Sequence, residues 1–250
     1  MDIRFDGKVA VITGGARGIG YACAEAMVAS GAKVALIDIH AGNLQQAAQK
    51  LQSQGTVRGY QLNLAKVADI SGIISKIREE LGEIDVLIQA AGILSASPSE
   101  DISQDEWDTV MNVNSRAVFF MMQAVTDQSM KPRKAGSIVN FASIAGVRGM
   151  MPPLCSAHYS ASKGAVVQLT KQGAVEWGKD NIRVNAVAPG GVMTENMKAP
   201  PAALEQLIPL KRLSQPSEIA AGVCFLASDA ASMITGQILV IDGGGSAVGF

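Results

Sequence analysis

Short apolar runs alternate along this chain with longer stretches whose apolar residues recur at helical spacing. Lys8–Thr13 (KVAVIT), Lys33–Ile37 (KVALI), Val57–Leu62, Asp85–Ile88, Ser137–Phe141, Arg183–Val187 and Ile238–Ile241 read as strands. Helical patterns cover Ile19–Ser30, closed by Gly31, then Ala41–Ser53, and recur at about 66–81, 103–129, 160–178 and 216–227. Strands that are apolar nearly throughout have no wet face, and strand-then-helix order makes neighbouring strands parallel. The pattern predicts an α/β fold: one doubly wound domain with a mainly parallel seven-stranded sheet and helices on both faces. No Pro/Ser-rich linker and no internal repeat divides residues 1–250. In such folds ligands bind beyond the carboxyl ends of the strands, so candidate chemistry belongs just after each strand.

Composition narrows the roles. Hydrophobic residues make up 48% and charged residues 17% of the 250, ample for a large core. A net charge of −1 with no basic run argues against a nucleic-acid partner held by phosphate contacts. No apolar stretch approaches the ~20 residues that span a bilayer, so no membrane partner is expected. The segment Met1–Asp6 is too charged to open a signal peptide. Cys23, Cys155 and Cys224 are odd in number and lack metal-ligand spacing, so reduced cysteines and no metal are expected. Together these features predict a cytoplasmic protein.

Thr13-Gly14-Gly15-Ala16-Arg17-Gly18-Ile19-Gly20 lies between the first strand and the first helix. Glycines at 14, 18 and 20 permit a tight turn and a close backbone approach. The helix N-terminus offers N–H groups and partial positive charge to a pyrophosphate. Asp38 ends the second strand ~20 residues later, where a carboxylate can bind the adenosine ribose hydroxyls. It also repels a 2′-phosphate: like charges ~4 Å apart cost on the order of 4 kcal/mol per pair at an effective dielectric of ~20. Arg17 offsets part of this, but Ile39 and His40 follow Asp38 with no second basic residue. NAD(H) in preference to NADP(H) is the expectation.

Tyr159-Ser160-Ala161-Ser162-Lys163 sets a phenol and an ammonium at i and i+4 on one helix face. The ammonium is expected to favour the phenolate and bring it toward the range useful for proton transfer. Ser143 follows the strand Ser137–Phe141 and so falls at the same sheet edge. Across the chain stand TGGARGIG, Asp38, Asn114 in MNVNSRAVF, Ser143 in IVNFASIAG, YSASK, RVNAVAPGGVMT and the terminal ITGQILVIDGG. In that order and spacing the chain resembles the short-chain dehydrogenase/reductase family from about Lys8 to Gly244.

The resemblance implies a Rossmann-type domain with a cofactor half at about 1–130 and a catalytic and substrate half at about 131–250. It implies an oxidoreductase that moves a hydride between NAD(H) and a secondary alcohol or ketone, with Tyr159 as general acid/base. Lys163 would lower the Tyr159 pKa and hold the nicotinamide ribose. Ser143 would orient the substrate oxygen, and Asn114 would hold a water in a relay toward Lys163. The cofactor would meet Gly14, Arg17, Gly18, Ile19, Gly20, Asp38, Asn63, Leu64, Ala91, Gly92, Tyr159, Lys163, Pro189 and Gly190. Thr194 and the backbone of Val192 would bind the nicotinamide carboxamide. A homo-oligomer, often a tetramer, is implied as well.

Three departures from the family pattern stand out. Gln89-Ala90-Ala91-Gly92 replaces the usual Asn-Asn-Ala-Gly, which predicts some lost rigidity and no lost activity. Asn63 stands where an aspartate commonly accepts from the adenine amino group, a task its carbonyl oxygen can share. The gap between Ser143 and Tyr159 is longer than usual, and the extra length falls in 150–155. Leu94, Met150, Met151, Leu154, Met193 and Met197 are the expected substrate lining, apolar and adaptable. No cluster of Arg or Lys announces a carboxylate or phosphate on the substrate, with Arg148 and Lys198 left open as single candidates. A secondary alcohol or ketone with a mainly apolar body is the expectation. Two other readings stay open: an NADPH-dependent 3-oxoacyl-thioester ketoreductase, against which Asp38 argues, and a non-catalytic NAD-sensing regulatory protein, which would not need the retained Tyr159 and Lys163.

Overall fold

The structure, a computed structural model, describes residues 3–95, 97–150, 156–195 and 205–248. All seven expected strands form: β1 Val9–Thr13, β2 Lys33–Asp38, β3 Val57–Gln61, β4 Ile84–Gln89, β5 Gly136–Phe141, β6 Ile182–Pro189 and β7 Ile238–Ile241. They make one sheet in the order β3-β2-β1-β4-β5-β6-β7, with every neighbouring pair parallel. The order reverses between β1 and β4, which opens a crevice beyond their carboxyl ends.

The apolar strands are explained by two cores, one on each face. Side chains alternate along a strand, so Ala10 and Ile12 of β1 enter one core while Val9 and Val11 enter the other. The first core packs Cys23 and Met27 of α1 (Gly18–Ala29), Leu51 of α2 (Ala41–Gln52) and Val223 of α8 (Pro216–Ala227). The second takes Ile74 of α3 (Ile70–Leu81), Met121 of α5 (Ala117–Val125) and Val166 of α7 (Ala157–Trp177). Cys23 and Cys224 are buried and free, and Cys155 lies outside the described residues. No described helix is long and apolar enough to cross a membrane.

Two helices differ from expectation in ways that bear on the site. The helical stretch over 103–129 is broken: α4 (Gln104–Met111) passes through a π-helical turn, Asn112–Arg116, into α5. A second π-helical turn, Thr126–Met130, leads to the short α6, Lys131–Arg133. A π turn adds one residue to a single turn, too small a change for apolar periodicity to reveal. The helix expected from about 160 instead begins at Ala157, so Tyr159 sits in the first turn of α7.

Candidate active site

β1 ends at Thr13 and the chain turns through Gly14 into α1. Gly14 has φ +66°, and a Cβ there would stand 2.8 Å from Ala91 Cα. Only glycine brings the turn this close to the loop after β4. Thr13 Oγ1 accepts from Ala91 N at 3.2 Å and fastens the same two segments. The first turn of α1 has no side-chain cap and no acidic residue, so its N–H groups remain for an anion. Asp38, at the end of β2, is locked beside that turn: Oδ2 accepts from Ala16 N at 3.2 Å and Oδ1 from His40 N at 3.1 Å. Asn63 and Leu64 follow β3, and Asn63 Oδ1 accepts from Ala65 N at 3.0 Å. Pro189 closes β6, and Gly190 N donates to Ile241 O at 3.0 Å. Val192 bridges to Ser214, while the Thr194 methyl stands 3.7 Å from the Cβ position of Gly18. These groups, spread along one sheet edge, fit a nicotinamide dinucleotide: a bare helix N-terminus for its pyrophosphate and a fixed carboxylate for a ribose.

The catalytic candidates meet at the same edge. Ser143 follows β5 and opens the 3₁₀ turn Ile144–Gly146, its Oγ accepting from Ala145 N at 3.2 Å. A Cβ on Gly146 would stand 2.5 Å from the Lys163 carbonyl carbon. The turn carrying Ser143 and the helix carrying Tyr159 therefore touch backbone to backbone. Lys163 Nζ donates to Phe141 O at 2.8 Å and lies 5.8 Å from the Tyr159 ring centroid. Asn114, fully buried in the first π turn, donates from Nδ2 to Ile93 O at 2.9 Å and to Ser162 Oγ at 3.1 Å. Its Oδ1 accepts from Ile93 N at 2.8 Å. The Cβ position of Gly92 is 3.3 Å from that oxygen and 3.4 Å from Lys163 Nζ, so both groups converge on one point.

Burial dominates the electrostatics of the pair. The Tyr159 phenol stands above its ordinary value because it is buried, with hydrogen bonding to Ser143 pulling the other way. Burial also pulls the Lys163 ammonium down to about 8. The Lys163 ammonium still carries its charge at neutral pH, with one donor engaged by Phe141 O.

Among the expected lining residues, Leu94 is 72% exposed on the loop after β4, and Met150 and Met193 are half-buried on the loops after β5 and β6. Met151, Leu154, Met197 and Lys198 lie outside the described residues, as does nearly all of the longer 150–155 segment. Arg148 is committed elsewhere, its Nη1 donating to Gly245 O at 2.9 Å. Gln89, read from sequence only as a departure, anchors the site from beneath. Its Nε2 donates to Val118 O at 3.1 Å and Asn140 Oδ1 at 3.0 Å, and Asn140 Nδ2 donates to Thr170 Oγ1 at 3.0 Å. The one sequence sign of this network was a long polar side chain at the end of an apolar strand. No cluster of metal-ligating side chains occurs among the described residues.

A family model described as Enoyl-(Acyl carrier protein) reductase matches residues 14–246. The chain belongs to the short-chain dehydrogenase/reductase family, whose members use nicotinamide cofactors. It is an oxidoreductase of alcohols and ketones. It is 41% identical over 250 residues to the D-threitol dehydrogenase of Mycolicibacterium smegmatis, covering 98% of this chain and 95% of that one. It is 40% identical over 248 residues to a 3-oxoacyl-(acyl-carrier-protein) reductase of Thermotoga maritima, covering 97% and 99%. The crystal structure of levodione reductase matches with a TM-score of 0.91 at 34% identity, covering 98% of this chain and 100% of that one.

Proposed function

We propose that the enzyme is an NAD(H)-dependent dehydrogenase of secondary alcohols and their ketones, with Tyr159 as the proton-transferring acid/base. One observation carries the reading: Tyr159, Lys163 and Ser143 converge at the sheet edge that also holds the glycine turn and Asp38. The nicotinamide ring supplies the hydride chemistry. Ser143 binds the substrate oxygen and orients it toward the Tyr159 hydroxyl, which takes the carbinol proton in oxidation and returns it in reduction. One Lys163 donor is spent on Phe141 O, and the others serve the nicotinamide ribose. Asn114 holds the loop after β4 through Ile93 and keeps a water on the path to Lys163.

Gly14, Arg17, Gly18, Ile19 and Gly20 take the pyrophosphate, and Asn63 and Leu64 the adenine. Ala91, Gly92, Pro189, Gly190, Val192 and Thr194 flank the nicotinamide half. The choice of NAD(H) rests on Asp38, whose carboxylate two backbone amides hold in place. An apolar-bodied substrate is supported by Leu94, Met150 and Met193. Ser95 and Ser97 turn their hydroxyls toward Glu106, and Leu94 beside them is exposed. The similarity to D-threitol dehydrogenase favours a polyol as the second reading. An apolar groove lined by Met111, Phe119 and Leu169 supports assembly into a homo-oligomer, and the free buried thiols agree with the cytoplasm.

The test is NADH formation from NAD⁺, beside NADP⁺, over a panel of apolar secondary alcohols and polyols, with Tyr159→Phe in parallel. Turnover with NAD⁺ that falls by about 10²–10⁴-fold in Tyr159→Phe is expected. Preferred use of NADP⁺ overturns the cofactor reading, and turnover of polyols alone overturns the apolar substrate.

A further inference from the structure

Beside Tyr159 lies a polar cluster that this chemistry does not use. Glu106, on α4, accepts at Oε1 from the hydroxyls of Ser95 and Ser97, the latter at 2.7 Å. The same oxygen stands 3.3 Å from Nε2 of His158, the residue before Tyr159. His158 is fully buried, and that nitrogen completes no aligned hydrogen bond with any described residue. Its Nδ1 lies 3.4 Å from Ser156 Oγ, and the Ser156 hydroxyl donates to the Ser95 carbonyl. A closed ring of contacts thus joins the loop after β4, α4 and the first turn of α7.

Burying an imidazole against a carboxylate costs free energy that an apolar pair of the same size does not, so the ring is a poor device for stability alone. The serine hydroxyls, with His158 assisting, hold the Glu106 carboxyl below the usual carboxylate range. Glu106 therefore stays anionic at neutral pH, holding both serine hydroxyls with His158 Nε2 beside it. Asn114 pins the same loop one step earlier, at Ile93. The loop is thus tied on one side to Asn114, whose carboxamide oxygen faces the same Gly92 position as Lys163 Nζ, and on the other to the backbone that carries the phenol.

We propose that Glu106 and His158 are positioning residues for Tyr159, clamping the loop after β4 to the first turn of α7 and fixing the phenol against the substrate wall. The proposal rests on the reading of Tyr159 as acid/base. Neither residue touches the reacting atoms; both act through the loop and the helix backbone.

The experiment compares Glu106→Gln, which keeps size and loses charge, with Glu106→Asp, with Ser97→Ala, and with the exposed neighbour Asp105→Asn as control. It reads kcat and KM for the alcohol, KM for NAD⁺, and the primary isotope effect with alcohol deuterated at the carbinol carbon. In Glu106→Gln, kcat should fall about 10–100-fold with a larger isotope effect, while KM for NAD⁺ stays within about twofold. Glu106→Asp should recover part of kcat, and Ser97→Ala should show the same pattern more weakly. Ser97→Ala carries the test alone if Glu106→Gln does not fold. An unchanged kcat and isotope effect overturns the proposal, and so does an equal loss in KM for NAD⁺, which marks general loosening. Tyr159→Phe separates the two failures. Activity surviving there sinks the acid/base reading, whereas an inactive Tyr159→Phe beside a fully active Glu106→Gln sinks the clamp alone.

Discussion

Replacing Lys163 with methionine should make the protein more stable at neutral pH while removing its activity. Lys163 is 5% exposed, and burial brings its ammonium from 10.5 down to about 8. At ~1.4 kcal/mol per tenfold, holding the cation in that pocket costs the folded state about 3 kcal/mol. Methionine removes this cost but leaves Phe141 O without its 2.8 Å hydrogen bond, a loss of about 1–2 kcal/mol. The net gain is about 1–2 kcal/mol at pH 7, or a rise of about 2–8 °C in Tm for a chain of this size. The sign with pH is specific. Between about 8 and 10.5 the unfolded lysine keeps a proton that the folded one has released, so wild-type stability rises with pH across that window. The advantage of the variant is full below pH 8 and is lost by pH 10.5. Urea denaturation of the pair in a Tyr159→Phe background, at about pH 7 and about pH 10, isolates the lysine from the phenol. A stability gap that does not change with pH, or a variant less stable at pH 7, would refute the desolvation argument.

Two further outcomes follow from the same geometry. Asp38→Asn should raise kcat/KM for NADP⁺ by about 10²–10³-fold, since ~4 kcal/mol of repulsion disappears, and should lower that for NAD⁺; an unchanged ratio of the two removes Asp38 from cofactor choice. Gly146→Ala places a Cβ 2.5 Å from the Lys163 carbonyl carbon. It should cost about 1–3 kcal/mol and a larger share of kcat, whereas Gly149→Ala, which meets no described residue within 4 Å, should be silent in both thermal melts and turnover.

Much of the molecule was legible in the residues. The inner strands showed because a strand buried on both faces must be apolar nearly throughout, as Val9–Thr13 is, whereas the edge strand β3 buries only Val57 and Tyr60. The glycine turn and the Tyr159–Lys163 spacing showed because each needs particular residue types at fixed short separations. The path of the chain from 103 to 133 did not show. Its π turn at Asn112–Arg116 carries Asn114, whose side chain meets Ile93 and Ser162, neighbours far away in sequence. The start of α7 at Ala157 was equally hidden. Ser160 N finds Ser156 O, and His158 and Ser156 are held by the loop after β4 and by α4.

What the sequence determined by itself was therefore the order of elements, the edge of the sheet where the candidate groups gather, and their residue types, because these depend on local periodicity and short-range spacing. Tertiary structure alone decided the protonation behaviour of Tyr159 and Lys163, the anchoring work of Gln89 and the ring joining Glu106 to His158. Desolvation and hydrogen-bond partnership belong to the surroundings of a group, and those exist only once distant segments have packed together.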